Sequence, residues 1–239
     1  MSPFITSYKN IVVVEGLENM IEFSNVIRIG KRDKKIILNN INFKIDKGEF
    51  VYLVGASGSG KSTIFKLIYR DIRATKGKVL IKGTDITKLR NRAVAFLRRK
   101  IGVAFQDFQL IETRTVYKNI SYSLEIIGKS RKEIDERIEE ILKFIDMENK
   151  KFEIVSELSI GEKQRISIAR AIINNPDILL CDEITANLNE EIKKNILMLL
   201  FKLKDIGTTI IFATHDKELI KDFPQRIIEL DEGVVVYDD

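Results

Sequence analysis

The chain has 239 residues, of which 44% are hydrophobic and 31% are charged. This is the composition of an ordinary globular protein, and the low content of 3 prolines and 13 glycines argues against long disordered segments. The length suffices for one α/β domain with a small inserted lobe. The net charge of +5 suits anionic partners such as nucleotides or a lipid surface, and it does not require nucleic acid as a partner.

The sequence contains no predicted membrane span. Its longest apolar runs, such as 196–201 and 209–213, are far shorter than the roughly 18 residues that a spanning helix needs. Residues 1–20 are predicted to form an N-terminal extension, in which the apolar run 11–14 lacks the cleavage pattern of a signal peptide. The single cysteine, Cys181, cannot form an internal disulfide, which favours a reducing compartment and a buried structural thiol. We therefore expect a cytoplasmic protein.

Short segments rich in β-branched residues and separated by polar turns predict three strands near the N-terminus. They lie at 21–26, 41–45 and 50–54, and a glycine-rich loop and a predicted helix at 61–70 follow them. Further strands are predicted at 79–81, 101–105, 178–181, 209–212 and 227–230. Continuously apolar strands such as 178–181 are typical of burial on both faces of a parallel sheet. The predicted fold is therefore α/β.

The segment between residues 90 and 157 has mainly helical periodicity. Within 131–147, apolar residues recur at the spacing of one helix face, at Ile134, Ile138, Ile141, Leu142 and Ile145. Charged residues occupy the other faces, which we interpret as solvated surface. We predict a helical subdomain at about 91–159, inserted into a domain that spans 21–239.

A glycine-rich loop with the sequence GASGSGKST, residues 55–63, lies between a predicted strand and a predicted helix. It matches the phosphate-binding pattern GxxxxGK[ST], in which glycines let successive backbone N–H groups point at phosphate oxygens. Lys61, which we expect to be exposed, would neutralise the β- and γ-phosphate oxygens, and Ser62 would offer its hydroxyl to Mg²⁺. A plain glycine turn before a helix explains neither residue. The predicted phosphate-binding residues are Gly55, Ser57, Gly58, Ser59, Gly60, Lys61, Ser62 and Thr63.

Two carboxylates and the only histidine follow predicted strands. Asp182 and Glu183 come after the strand 178–181, and such strand ends lie beside the phosphate loop in an open parallel sheet. We predict that Asp182 holds Mg²⁺ through water and that Glu183 is the general base that polarises the attacking water. His215 follows the strand 209–213 and is predicted to hydrogen-bond the γ-phosphate as a sensor. An apolar run ending in Asp-Glu is common on its own, and a lone histidine is usually structural, so both assignments depend on the phosphate loop.

The segment 158–165, with the sequence LSIGEKQR, completes an ordered set of motifs. The phosphate loop, Gln106 after a strand, this segment, the Asp182–Glu183 pair and His215 together resemble the ABC-type ATPases, from about residue 21 to 233. The resemblance implies a P-loop fold with a parallel-sheet core, an N-terminal antiparallel β subdomain and an inserted helical subdomain. It also implies ATP and Mg²⁺ as ligands, with Gln106 joining Ser62 and Asp182 at the metal.

In ABC-type ATPases the segment that corresponds to 158–165, called the signature segment, begins a helix that caps the γ-phosphate bound by the opposite subunit. The resemblance therefore implies that Ser159, Gly161 and Glu162 contact nucleotide held by a second copy, and that a homodimer forms on ATP binding. Two sites then need two chains.

Three longer segments, 97–110, 114–119 and 124–128, are similar to the FtsE group of cell-division ATP-binding proteins within this family. That likeness implies an FtsX-like integral membrane protein as partner, which passes the ATPase cycle to peptidoglycan hydrolases outside the cell. The chain would then be peripheral on the inner face of the cell membrane, held there by its partner, with no role for nucleic acid.

The signature segment departs from the family pattern at Ile160, where a glycine is usual. A β-branched residue would be costly there if the backbone needed a positive φ. However, the spacing of Ser159 and Glu162 predicts a capping box, which makes Ser159 the N-cap and Ile160 the first helical residue, where isoleucine is tolerated.

Other departures lie near the predicted dimer interface and the adenine site. Asn189 replaces a usual aspartate, and Ile184 and Ala186 replace a usual proline and glycine. No aromatic residue lies between Ser24 and Ile41, where relatives often carry a tyrosine that stacks on adenine. These departures bear on turnover rate and base selectivity more than on the fold.

Three other functions are compatible with parts of this pattern. An ABC exporter or a lipoprotein-release transporter would use the same ATPase chemistry with a different membrane partner. A regulatory module that dimerises on ATP and scarcely hydrolyses it is favoured by Ile160 and Asn189. It is opposed by the intact set of predicted site residues, Lys61, Asp182, Glu183 and His215. A DNA-repair ATPase is disfavoured because no long coiled-coil segment interrupts the domain.

Overall fold

The computed structural model describes residues 19–30, 33–186 and 188–239. The predicted N-terminal extension, 1–20, therefore lies outside the described residues except for Asn19 and Met20, which already belong to the first strand. No helix within the described ranges is long and apolar enough to cross a membrane.

A four-stranded antiparallel sheet forms the N-terminal part of the described chain. Its strands are β1 (Asn19–Ile29), β2 (Ile36–Asp46), β4 (Lys76–Ile81) and β5 (Thr84–Asp85), in the spatial order β2-β1-β4-β5. Phe23 and Phe43 face each other across β1 and β2, with stacked rings 4.5 Å apart between centroids. The antiparallel β subdomain is confirmed, although β1 and β2 are longer than predicted and β5 was not predicted.

The second sheet has six strands in the order β10-β9-β3-β8-β7-β6. The strands from β9 to β6 run parallel, and β10 is antiparallel to β9 at one edge. The bounds are β3 (Phe50–Val54), β6 (Ile101–Ala104), β7 (Ile178–Asp182), β8 (Thr209–Ala213), β9 (Arg226–Asp231) and β10 (Val234–Asp238). The predicted parallel core is confirmed.

Seven described α-helices complete the fold. They are α1 (Lys61–Ile68), α2 (Asn91–Arg99), α3 (Val116–Glu125), α4 (Arg131–Phe144), α5 (Ile160–Ile172), α6 (Glu190–Asp205) and α7 (Lys217–Asp222). Helix α4 begins with a capping box between Ser130 and Glu133 and buries the predicted apolar stripe that includes Ile138 and Leu142.

The six-stranded sheet is buried on both faces. Along β3, Phe50 and Tyr52 point into a core shared with α3 to α6, whereas Val51 and Leu53 point into a core shared with α1 and the antiparallel sheet. This alternation follows from the two-residue repeat of a strand. Cys181 on β7 is fully buried, and burial raises the pKa of its thiol, as expected for a structural cysteine.

The range 91–159, predicted as the helical subdomain, contains one strand of the central sheet. β6 lies within it and pairs in parallel with β7, where Ile101 is opposite Ile178. The apolar residues of β6 are therefore part of the central sheet. Helix α2 directly precedes this strand in the chain. Helices α3 and α4, which contact each other and follow β6, form the helical part of the range.

Candidate active site

Four neighbouring parallel strands end at the same edge of the central sheet, and each is followed by a predicted functional residue. β3 leads into the glycine-rich loop, β7 into Glu183, β8 into His215 and β6 into Gln106. Since parallel strands all point their carboxyl ends to one edge, residues far apart in the sequence meet there. The sheet order thus explains how the site is assembled.

The glycine-rich loop between β3 and α1 depends on two of its glycines. Gly55 has φ +147°, and a Cβ there would lie 2.3 Å from the carbonyl oxygen of Leu230. Gly60 has φ +115°, and a Cβ there would lie 2.6 Å from Cδ2 of Leu38. Both backbone conformations are ones that side chains rarely adopt. Any larger residue at these positions would distort the loop that we predict to bind phosphate.

Lys61 is the first residue of α1 and is only 6% exposed, so the expectation of an exposed loop lysine is wrong. Its Nζ donates to the carbonyl oxygens of Gly55 at 2.7 Å and Ala56 at 3.1 Å. The same Nζ lies 3.7 Å from Oε1 of Glu183. The loop curls around the ammonium group, because an amine buried this deeply needs acceptors for its protons.

Ser62 and Asp182 form the pair of oxygens predicted for Mg²⁺. The Ser62 hydroxyl donates to Oδ2 of Asp182 at 3.3 Å. Burial raises the pKa of Asp182, and the neighbouring Glu183 carboxylate adds to the rise, while the Ser62 hydrogen bond opposes it. A hydroxyl and a carboxylate are hard oxygen ligands that suit Mg²⁺, which usually takes only one or two protein ligands and fills its shell with phosphate and water. The described chain contains no group of three or more His, Cys, Asp or Glu that could hold a metal ion, and the roles of Ser62 and Asp182 at Mg²⁺ remain predictions.

Glu183 connects the phosphate loop to His215. Its backbone N–H donates to the carbonyl of Ala213 at 3.0 Å, and its φ of +50° is unusual for a residue with a side chain. Its carboxylate has Lys61 on one side and, at 3.4 Å from Oε2, the Nδ1 of His215 on the other. His215 is 68% exposed, so its ring stands at the surface of the site. The strained backbone thus holds the carboxylate beside two nitrogen groups, and the role of Glu183 as general base remains a prediction.

A concavity of about 510 Å³ opens beside Glu183 and His215. Gln106, which is exposed, lines it together with these two residues. The predicted role of Gln106 at the metal remains a prediction, because its side chain makes no hydrogen bond with Ser62 or Asp182 among the described residues.

Helix α5 begins with the capping box that the sequence predicts. The Ser159 hydroxyl accepts from the Glu162 N–H at 3.3 Å, and the Glu162 carboxylate accepts from the Ser159 N–H at 2.8 Å. Ile160 is therefore the first helical residue, and its side chain is 55% exposed. The interpretation that isoleucine makes no unusual backbone demand here is confirmed.

The signature residues Ser159, Gly161 and Glu162 do not join the phosphate loop within one chain. Glu162 instead forms an ion pair with Lys150 at 3.6 Å, and a Cβ on Gly161 would meet Ile192 of α6. No hydrogen bond or ion pair in the described parts of the chain connects the start of α5 to residues 55–63.

Asn189, one of the departures from the family pattern, is the N-cap of α6. Its Oδ1 accepts from the Ile192 N–H at 2.9 Å. Asparagine and aspartate are about equally good at this position. The substitution therefore retains the helix start while removing a charge.

One ion pair at the site was not predicted from the sequence. Lys193 of α6 lies 2.7 Å from Oδ2 of Asp216, which is the residue after His215 and the N-cap of α7. Burial opposes ionisation of Asp216, but the hydrogen bond and charge of Lys193, together with the backbone N–H groups of Leu219 and Glu218, outweigh it and hold the pKa of this carboxyl below its usual range. Asp216 could have been found as a helix N-cap signal, whereas Lys193, 23 residues earlier, carries no such signal.

Comparison with known proteins identifies the family. The family profile described as ABC transporter matches residues 38–186, more than half of the chain. The chain belongs to the ABC transporter family. The cell division ATP-binding protein FtsE of Bacillus subtilis (strain 168) is 41% identical over 92% of this chain and 96% of its own length. The methionine import ATP-binding protein MetN 3 of Oceanobacillus iheyensis is 38% identical over 91% of this chain and 64% of its own length.

Solved structures of the ABC transporter family share the fold. CbiO1 from Clostridium perfringens, part of the ABC transporter complex cbiONQ, has a TM-score of 0.86 at 29% identity, covering 93% of this chain and 88% of CbiO1. The ATP-binding cassette MJ0796, in a dimeric post-hydrolysis state bound to ADP and Pi, has a TM-score of 0.82 at 36% identity, covering 92% of this chain and 98% of the cassette.

Membership of this family settles the reaction class. The chain binds ATP together with Mg²⁺ and hydrolyses ATP to ADP and phosphate. The described geometry fits both ligands, since the loop curls around the Lys61 ammonium group, whose positive charge suits phosphate, and Ser62 and Asp182 offer adjacent oxygens.

Proposed function

We propose that this ABC-type ATPase is the cytoplasmic ATP-hydrolysing subunit of an FtsEX-like membrane complex in cell division. In this complex an ATP-dependent homodimer drives an FtsX-like partner, which regulates peptidoglycan hydrolases. Two relatives named FtsE support the proposal, because both match this chain at 41% and 42% identity over 96% of their own length. The chain would be peripheral on the inner face of the cell membrane through its partner.

The observation that carries the catalytic part is the position of Glu183 between Lys61 and His215, next to the Ser62–Asp182 pair. Ser62 and Asp182 would hold Mg²⁺ beside bound ATP, where the ion would supply neutralisation of the phosphate charge. Lys61 exchanges its loop carbonyl partners for phosphate oxygens, and His215 orients the Glu183 carboxylate. Glu183 accepts a proton from the attacking water as the new bond to the γ-phosphorus forms and the bond to the β-phosphate oxygen breaks.

The homodimer part is supported by the position of α5. Ser159 and Gly161 lie away from the phosphate loop of their own chain, whereas the MJ0796 cassette is described as a dimer bound to ADP and Pi. In the proposed dimer these residues close on the γ-phosphate held by Lys61 and Ser62 of the other copy.

The test is the substitution Glu183→Gln, which keeps size and hydrogen bonding but removes the basic carboxylate. Hydrolysis should stop while binding survives, so the variant should accumulate as a dimer with Mg-ATP and remain a monomer with ADP or without nucleotide. Light scattering measures the mass in each condition. Glu136→Gln, the same chemical change on exposed α4, serves as the control and should retain hydrolysis. A Glu183→Gln variant that stays monomeric with Mg-ATP, alone and with its membrane partner, contradicts the sandwich mechanism.

A transport role is the second candidate. It is favoured by the 38% identity to a methionine import ATP-binding protein and by the likeness to CbiO1. The two roles differ in the membrane partner that co-purifies with the Glu183→Gln variant from detergent-solubilised native membranes. A partner with a large external domain and few spans supports the division role, and a many-span permease supports transport.

A further inference from the structure

Two consecutive residues in the turn between β8 and α7 are each held by a side chain from another part of the chain. Nδ1 of His215 lies 3.4 Å from Oε2 of Glu183, and Oδ2 of Asp216 lies 2.7 Å from Nζ of Lys193. Glu183 follows β7 directly, and Lys193 lies in the first turn of α6. The turn is therefore held at two adjacent points.

The ring of His215 depends on the main chain of this turn for its position. The ring is largely exposed, and Glu183 is its only polar partner in the described part of the chain. The main chain is fixed before His215, where the buried Thr214 donates its N–H to the carbonyl of Leu53 at 3.2 Å. What fixes the main chain after His215 then decides whether Nδ1 stays beside the Glu183 carboxylate.

Asp216 provides that second fixed point. Its Oδ1 accepts the Leu219 N–H at 3.1 Å as the N-cap of α7, and its own N–H donates to the Thr214 hydroxyl at 3.1 Å. Helix α7 has only 6 residues, and helices this short are not stable without tertiary contacts. The cap of α7 alone is therefore a weak anchor for the turn.

Lys193 supplies a tertiary contact from a helix that is itself firmly packed. The apolar face of α6 is buried in the core at Ile196, Leu197, Leu199, Leu200 and Leu203. The Lys193 ammonium group donates to Asp216 at 2.7 Å and to Glu190 at 2.8 Å, and its side chain is only 16% exposed. The hydrogen bond to Asp216, followed by that to Glu190, raises the pKa of Lys193, so this group stays charged at neutral pH.

Loss of the Lys193 charge would leave Asp216 without a counter-ion. Lys193 is the only cationic side chain that pairs with Asp216 among the described residues, and both side chains are mostly buried. A carboxylate left unpaired in such a place is costly, so the turn would rotate Asp216 toward solvent. Because His215 is the preceding residue, that rotation would move its ring relative to Glu183.

We propose that Lys193 is a positioning residue for ATP hydrolysis, because its contact with Asp216 holds the turn so that Nδ1 of His215 faces Glu183. Lys193 lines the same concavity as His215 and Glu183, and it acts through Asp216 without touching a reacting atom. The inference rests on the proposed roles of Glu183 and His215 in the reaction.

Steady-state ATP hydrolysis by the full chain is the first measurement. Lys193→Met keeps the side-chain length and removes the charge, and it should lower kcat about tenfold, a part of the roughly 10²–10⁴-fold that a positioned base contributes. KM for Mg-ATP should change less than about twofold, because the loss concerns the reaction and not the binding of nucleotide. Lys193→Arg retains a cationic donor and should keep kcat within about threefold of the original chain.

Lys194→Met is the matched control, because it makes the same chemical change at the next residue of α6, where the side chain is exposed. It should leave kcat and KM unchanged. Calorimetric binding of Mg-ATP verifies that each variant is folded. A loss of kcat in Lys194→Met equal to that in Lys193→Met, or equal losses in Lys193→Met and Lys193→Arg, would overturn the proposal.

Asp216→Asn tests whether the pair acts as a unit, because asparagine caps a helix about as well as aspartate while lacking the charge. Asp216→Asn and Lys193→Met should each lower kcat about tenfold, and the double variant should also lose about tenfold instead of about a hundredfold. Additive losses would show that the two residues act independently and would overturn the proposal.

Nuclear magnetic resonance reports on His215 directly. His215 is the only histidine of the chain, so untagged protein gives one set of imidazole signals. Lys193→Met should shift these signals in the absence of nucleotide, and Lys194→Met should leave them in place. Unchanged imidazole signals in Lys193→Met would overturn the positioning role even if the rate falls.

His215→Ala separates this inference from the proposed function on which it rests. A normal rate in His215→Ala would refute the proposed catalytic role of His215, and the inference with it. A strongly lowered rate in His215→Ala, together with a normal rate and unshifted imidazole signals in Lys193→Met, would overturn the role of Lys193 alone.

Discussion

Replacing Ile160 with glycine, which is the usual residue in the family, tests whether isoleucine at the start of α5 lowers the rate of ATP hydrolysis. Ile160 follows the N-cap Ser159, has a negative φ, and exposes 55% of its surface. The capping box is built from the backbone and the side chains of Ser159 and Glu162, so it does not involve the Ile160 side chain. Ile160→Gly should therefore leave the helix start in place.

The expected magnitudes follow from this geometry. Glycine is less favourable than isoleucine in a helix by about 0.5 kcal/mol, and the half-buried side chain contributes at most about 1 kcal/mol more. In a chain of this size a total near 1 kcal/mol lowers the melting temperature by about 2–4 °C. The ATPase rate should change less than about threefold, which is roughly 0.65 kcal/mol on the activation barrier.

The assay is steady-state ATP hydrolysis with saturating Mg-ATP, combined with thermal denaturation of the same samples. Ser159→Ala is the matched control, because it removes the N-cap, at a cost of about 1 kcal/mol, together with the hydroxyl predicted to contact the partner's γ-phosphate. It should lower the rate far more than Ile160→Gly does. A rise of tenfold or more in Ile160→Gly would refute the reasoning, because it would show that isoleucine restrains turnover and would favour a regulatory module.

Three further predictions concern the phosphate loop, the predicted Mg²⁺ ligand Asp182 and the discrimination between adenine and guanine. Gly58→Ala should cost only about 1–2 kcal/mol of backbone strain, because φ is +82° and a Cβ there would meet nothing within 4 Å. Gly60→Ala should also displace Leu38, so it should weaken ATP binding far more than Gly58→Ala does. Equal ATP affinities of the two variants by calorimetry would contradict this. Asp182→Asn should raise the melting temperature at pH 7 without nucleotide or Mg²⁺, because burial raises the folded-state pKa of Asp182 and so penalises its ionised form. That advantage should shrink as the pH falls toward the ordinary carboxyl pKa of about 3.9, and a pH-independent difference would exclude titration as its cause. The absence of an aromatic residue between Ser24 and Ile41 predicts an ATP preference over GTP below about a hundredfold, or 2.7 kcal/mol, in competitive binding; a larger preference would mean that another group recognises adenine.

The sequence predicts the site well where a short motif and a strand end coincide. The loop at 55–63 and the Asp182–Glu183 pair each follow an apolar strand directly, so local pattern alone places them at one edge of the sheet. The capping box at Ser159 is equally local, since both partners lie within four residues. Contacts of this kind need no knowledge of the tertiary fold.

The parts that sequence analysis missed depend on long-range contacts or on weak local signals. The burial of Lys61 results from the carbonyls of a loop that curls back on it, which the motif does not reveal. The Lys193–Asp216 pair joins two helices that are adjacent only in the folded chain. β10 did carry a local signal, because the glycine at 233 marks a two-residue hairpin turn after β9, but the sequence analysis did not use it.

The distribution of the motifs over the fold explains why one chain is proposed to be insufficient for hydrolysis. Lys61, Glu183 and His215 form one cluster at the carboxyl edge of the sheet. The start of α5 belongs to a different surface, where Glu162 binds Lys150 and Gly161 packs near Ile192 of α6. Because α6 also supplies Lys193 to the residue after His215, the signature surface and the cluster of Lys61, Glu183 and His215 both contact or adjoin one helix. Closure of a second chain on Ser159 and Gly161 would therefore press on α6 and on the loop that holds His215. In the proposed dimer, these two contacts of α6 would connect the signature surface to the residue after His215, and so to the predicted general base.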